Sequence, residues 1–158
     1  TTLLKSATII DPSSQHHKQL GHFNHHGKVD KIANKIQNKP SYKLVELENL
    51  HVSCGWFDTS VSLGEPGYEE RETIQNGLSV ASKSGFTSIA LNPNTFPVID
   101  SKSDIEFLIN KASNSATSLY PIGALTKLSD GKEIAELYDM QQSGAIAFGD
   151  YNKPIVND

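Results

Sequence analysis

Three polar residues stand at alternate positions of one short segment: Asp58, Ser60 and Ser62. In an extended strand, side chains two apart share a face. The spacing therefore predicts a carboxylate and two hydroxyls presented together at a strand end. Two further residues able to ligate or hydrogen-bond follow in turn-like settings, Asn94 in Asn92-Pro93-Asn94 and Asp150 after the apolar run Ala145 to Phe148. Both also read as an ordinary turn residue and loop acid, because turns favour Asn and Asp on local grounds. Five of the six histidines (His16, His17, His22, His25 and His26) crowd one stretch. Their spacing fits neither face of a strand nor a helix, so a solvated surface is expected there rather than a metal site. Cys54, in a strand-like stretch beside Trp56, reads as a packed thiol, and as the single cysteine it forms no internal disulfide. The chain contains no G-x-S-x-G elbow, phosphate loop or dinucleotide fingerprint.

Composition narrows the classes further. Apolar residues make up 37% and charged residues 20%, as in globular domains. The net charge of −4, from 14 basic and 18 acidic residues without a single-sign block, argues against nucleic acid and anionic membrane as partners. No apolar run approaches the roughly 18 residues of a membrane span, and Thr1 to Ile10 does not resemble a signal peptide. A cytoplasmic protein is expected. The opening on Thr1 and the close on Val156-Asn157-Asp158 without a helix cap lead us to expect a processed or trimmed molecule.

The elements that must position these residues fall into two parts, residues 1–50 and 51–158. The first reads as a small β module: a strand from Leu3 to Ile10, a turn at Asp11-Pro12-Ser13-Ser14, short strands over His22 to His26, Val29 to Ile32, and Lys43 to Leu50. From Val52 the rhythm alternates. Strands are predicted over Cys54 to Val61, Phe86 to Leu91, Leu119 to Leu125 and Ala145 to Phe148. A helix from Glu69 to Ser84 places Ile74, Leu78 and Ala81 on one face before Gly85. A second begins near Ser101 or Ser103 and aligns Ile105, Leu108, Ile109 and Ala112. A third is predicted to open on the capping pair Asp130 and Glu133 and to run through Ile134 and Leu137 to Ser143-Gly144. Four strands joined by three helices imply parallel β-α-β units. Residues 52–158 are too few for the roughly 250 of a closed (β/α)₈ barrel, so about half a barrel is expected. A half barrel leaves strand edges and core open, and should need completion.

The residues carry a resemblance. Asp58-Thr59-Ser60-Val61-Ser62-Leu63-Gly64-Glu65-Pro66-Gly67 is similar to the dihydroorotase signature D-x-H-x-H-x-R-E-P-G of the amidohydrolase superfamily. Gly85-Phe86-Thr87-Ser88 with Asn92-Pro93-Asn94-Thr95 resembles its G-G-F-T-T and M-P-N-T. Tyr120 to Thr126 and Gly144 to Asp150 resemble its third and fourth strands, and Leu3 to Pro12 its β-sandwich module. The resemblance implies the N-terminal part of a TIM-like α/β barrel preceded by a small β-sandwich module.

It also implies a zinc enzyme of pyrimidine biosynthesis that opens the dihydroorotate ring amide to N-carbamoyl-aspartate. The departures count against that activity here. Ser60 and Ser62 replace the two imidazoles that grip the metal, and a neutral hydroxyl is a far weaker zinc ligand. Gly64 replaces the arginine that pairs with the substrate carboxylate. Asn94 matches the asparagine that helps bind that carboxylate, and Asp150 lies near an aspartate that bridges two metals in some members. The expectation is a non-catalytic member with no bound cofactor and a structural role, as a homo-oligomer or beside aspartate carbamoyltransferase, with which inactive relatives associate. The alternative is a working cyclic amidohydrolase with an altered metal site assisted by Asp150.

Overall fold

The computed structural model describes residues 1–13, 19–25 and 28–156. His16, His17 and His26 lie outside them. Two compact units divide the chain, Thr1–Cys54 and Gly55–Asp158. The first is a mixed sheet built around β1 (Thr2–Ile10). β1 pairs antiparallel with β2 (Gln19–His25) and parallel with both β4 (Lys43–Glu46) and β5 (His51–Ser53). β3 (Lys28–Ala33) pairs with β2 at the edge. Among the described residues of this unit, Leu3, Ala7 and Ile9 are the buried apolar ones.

The second unit is a parallel sheet in chain order, β6 (Trp56–Val61), β7 (Phe86–Leu91), β8 (Ser118–Gly123) and β9 (Ala147–Phe148). Helices α1 (Ile74–Lys83), α2 (Lys102–Lys111) and α3 (Leu137–Gln142) make the crossovers. The core lies between helices and sheet. Ile74 and Leu78 of α1, Ile105 and Leu108 of α2, and Met140 of α3 pack with Ile89, Leu91 and Leu119. The four-residue and three-residue spacings on the helices and the two-residue spacing on β7 make that layer.

α1 starts at Ile74 rather than Glu69. Residues 64–72 are instead folded into a turn, with the Gly64 amide donating to the Glu72 carbonyl (2.9 Å) and the Tyr68 amide to the Gly64 carbonyl (2.8 Å). Thr73 is extended, and its hydroxyl accepts the Asn76 amide at 3.2 Å, so the helix is capped there. α2 begins where Ser101 donates both its amide (3.1 Å) and hydroxyl (2.7 Å) to Asp104.

α3 is shorter than its pattern predicts. Asp130 and Glu133 do not open a helix: the Asp130 carboxylate takes the Lys132 amide in a local turn, and Glu133 pairs with Lys127 at 3.1 Å. Gly131 has φ +76°, which a helix does not contain. Thr126 and Ile134 form a β-bridge, leaving Ile134 exposed and Ala135 buried in its place. Cys54 is also corrected. It falls between β5 and β6, outside both ladders, and its thiol is exposed rather than packed.

The position of the α1 cap gives a direct check. Thr73→Ala should lower unfolding free energy by about 1 kcal/mol in urea titrations, whereas Thr73→Ser and Glu69→Ala should leave it nearly unchanged.

Candidate functional site

The end of β6 does not keep a simple alternation. Two opposite slips interrupt it: Trp56 and Phe57 pair with Phe86 and Ser88, one step against two, and then Asp58 and Val61 pair with Ile89 and Leu91, so three steps on β6 run against two on β7. An extra residue of this kind is a β-bulge, and it exchanges the two faces of the strand beyond it. The bulge is closed locally by the Asp58 carboxylate, whose Oδ1 accepts the Ser60 amide at 3.1 Å. Asp58 consequently lies with Val61 and Leu63 on the side of α1, lining a cleft of about 240 Å³ with Gly77, Val80 and Ala81. Ser60 and Ser62 lie together beside Asn92. The expected trio is thereby split: two hydroxyls share a site, and the carboxylate leaves it.

Asn92 follows β7 directly and is buried. Its amide nitrogen donates to Ser60 Oγ at 3.1 Å and to Ser62 Oγ at 3.3 Å. Its backbone amide donates to the Val61 carbonyl at 2.8 Å. Sequence reasoning passed over Asn92 as a turn residue, although its place where the resembling signature has methionine was a signal.

Gly64 occupies a position with no room for a side chain. A Cβ there would lie 1.9 Å from the Tyr68 carbonyl oxygen and 3.0 Å from that of Glu72. The neighbouring Glu65 is buried. Its two oxygens are divided between Lys111 Nζ at 2.7 Å and the Ile74 amide, the first of α1, at 3.0 Å. Burial pushes its pKa up, but the Lys111 ammonium and the Ile74 amide together outweigh it, and the carboxyl titrates below the ordinary glutamate value.

Beyond the strand ends, Asn94 and Asp150 meet in one cavity of about 360 Å³, lined also by Tyr68, Ser129, Tyr151 and Lys153. Ser60 and Ser62 do not line it. Asn94 is exposed. Asp150 is buried, and its oxygens are already engaged. Oδ1 accepts the amides of Leu125 (2.9 Å) and Thr126 (3.0 Å), and Oδ2 accepts the Thr126 hydroxyl (2.5 Å). That hydroxyl in turn accepts the Gly131 amide at 2.9 Å, so Asp150 and Thr126 together fix the loop after β8.

The donor set does not suit zinc. Zinc sites draw on imidazole, thiolate and carboxylate. Among the described residues no group of three or more His, Cys, Asp or Glu is placed to hold a metal ion. Ser60 and Ser62 offer neutral oxygens directed at an amide, and Asp150 is engaged by the Leu125 and Thr126 amides and the Thr126 hydroxyl. None of the described residues near Ser60 and Ser62 is arranged as a nucleophile–base pair.

Comparison with known proteins places this geometry. The family model described as dihydro-orotase-like matches residues 51–156. The dihydroorotase of Syntrophus aciditrophicus is 38% identical over 157 residues, covering 98% of this chain and 37% of that protein. The dihydroorotase of Pelotomaculum thermopropionicum is 37% identical over 155 residues, covering 98% and 36%. The chain thus spans little more than a third of the length of these curated relatives. Among solved structures, the L-hydantoinase (dihydropyrimidinase) from Arthrobacter aurescens superposes with a TM-score of 0.76 at 18% identity, over 93% of this chain and 32% of that one. A dihydroorotase crystal structure superposes with a TM-score of 0.62 at 11% identity, over 93% and 41%. At these identities the structural likeness shows the fold, that of the N-terminal part of an amidohydrolase barrel.

The Glu65 anchor predicts a pH dependence. Because its folded pKa is depressed, its stabilisation is present above the ordinary value of 4.5 and is lost as pH falls through the folded value. Glu65→Gln should cost about 1–3 kcal/mol at pH 7 and cost less as the pH is lowered below that value, read from urea midpoints between pH 3 and pH 7.

Proposed function

This chain belongs to the dihydroorotase-like family, and on that premise we propose that it is a non-catalytic member with a structural role. The observation that carries the reading is the state of Ser60 and Ser62, whose hydroxyls are held by the Asn92 amide where the family signature has metal-binding histidines. Ring opening of a cyclic amide such as dihydroorotate requires a water activated to attack the carbonyl, which a metal-bound hydroxide supplies in amidohydrolases. The described residues offer no set that would hold such a metal. Gly64 offers no cation for a substrate carboxylate, and the turn around it leaves no space for one.

A fold of this kind persists without its chemistry, since its stability resides in the helix–sheet core rather than at the strand ends. A scaffold in the pyrimidine pathway is the role that fits. Aspartate carbamoyltransferase is the proposed partner, supported by the family resemblance, and a homo-oligomer is the accompanying expectation.

Purified protein incubated with dihydroorotate and zinc should open the ring no faster than buffer does, followed by loss of substrate absorbance. Turnover at a rate comparable with an active relative would overturn the reading. Asp150→Ala should leave metal content unchanged and lower stability by about 3 kcal/mol, through loss of charged hydrogen bonds to Leu125 and Thr126. A variant that loses bound zinc while keeping its unfolding midpoint would instead make Asp150 a ligand. Co-sedimentation with aspartate carbamoyltransferase is the expected outcome of mixing the two.

A further inference from the structure

We infer that Asn92, Ser60 and Ser62 form one hydrogen-bonded clasp that joins the ends of β6 and β7 where the family signature has its metal-binding histidines. Three departures from two separate signatures meet in it. Ser60 and Ser62 replace the two histidines of the first, and Asn92 replaces the methionine of the second. The structure brings them together across 32 and 30 residues of chain, with the amide nitrogen 3.1 and 3.3 Å from the two hydroxyl oxygens.

The polarity of the arrangement favours hydrogen bonding over a cation. An amide nitrogen carries two protons and no lone pair to give, and it faces both oxygens. A metal at the same place would meet those protons and two neutral hydroxyls, which are weak zinc ligands. A methionine at position 92 has no proton to donate, so it could not make either bond to the two serines. The three residues therefore make sense as a set. Their location adds a reason for the clasp. The β6 bulge leaves the ladder interrupted between Asp58 and Val61, and the Asn92 backbone amide already ties to Val61 at 2.8 Å. The side-chain bonds supply a second tie at that irregular end.

This inference rests on the reading that no metal binds at Ser60 and Ser62, but it fails separately. In a double-mutant cycle on the purified protein, Asn92→Met and the combined Ser60→Ala, Ser62→Ala change should each raise the unfolding equilibrium constant about fivefold. All three together should raise it by clearly less than the product of the two, since both remove the same bonds. Multiplicative effects would overturn the clasp.

Nuclear magnetic resonance of the unmodified protein gives a reading free of folding effects. The Asn92 side-chain amide protons should exchange slowly with solvent and shift in Ser62→Ala, and zinc should leave them unmoved. Free exchange of those protons, or their saturable displacement by one zinc per chain, would overturn the clasp. Turnover of dihydroorotate with coupling intact would overturn only the non-catalytic reading.

Discussion

The extra residue in β6 determines which side chains can meet at the strand ends. Without it Asp58 would share a face with Ser60 and Ser62, and a carboxylate with two hydroxyls would form a small polar site. With it, Asp58 turns toward α1 and its carboxylate is consumed in holding the Ser60 amide, the bond that closes the bulge. The two hydroxyls are then left to Asn92. One local choice of backbone register thus separates the acid from the other polar groups, and the hydrogen bonding of the region follows from that separation.

The same use of acids recurs around the carboxyl ends of the sheet. Glu65 holds the first amide of α1, Asp100 accepts the Leu128 amide at 2.7 Å, and Asp150 holds Leu125 and Thr126. Each carboxylate stabilises a loop through charge-assisted bonds to backbone. Glu65 also sits where the α1 dipole favours negative charge. A carboxylate held in this way spends its acceptor capacity on the fold. The acids at this rim serve architecture.

Much of the fold was legible in the sequence because it rests on periodicity. Ile74 and Leu78, Ile105 and Leu108, and the alternation of Ile89 and Leu91 mark helices and strand through spacings that are local in sequence. The third helix was overextended because Asp130 and Glu133 fit a capping pattern that Gly131 and the Thr126–Ile134 bridge override, and the bridge depends on tertiary packing. Cys54 was misjudged because its burial depends on ladder boundaries that composition does not mark. At the site, the identities of Ser60, Ser62 and Gly64 were plain. The role of Asn92 was hidden because it joins residues 30 and 32 positions away, and the face of Asp58 was hidden because a bulge leaves no compositional trace.

Gly64 has a bearing on how this loop can vary. In the present backbone any side chain there would put its Cβ 1.9 Å from the Tyr68 carbonyl oxygen, so a substitution must come with a rebuilding of the 64–72 turn. Such a turn couples its positions: residue 64 is free to change only together with the residues that close around it.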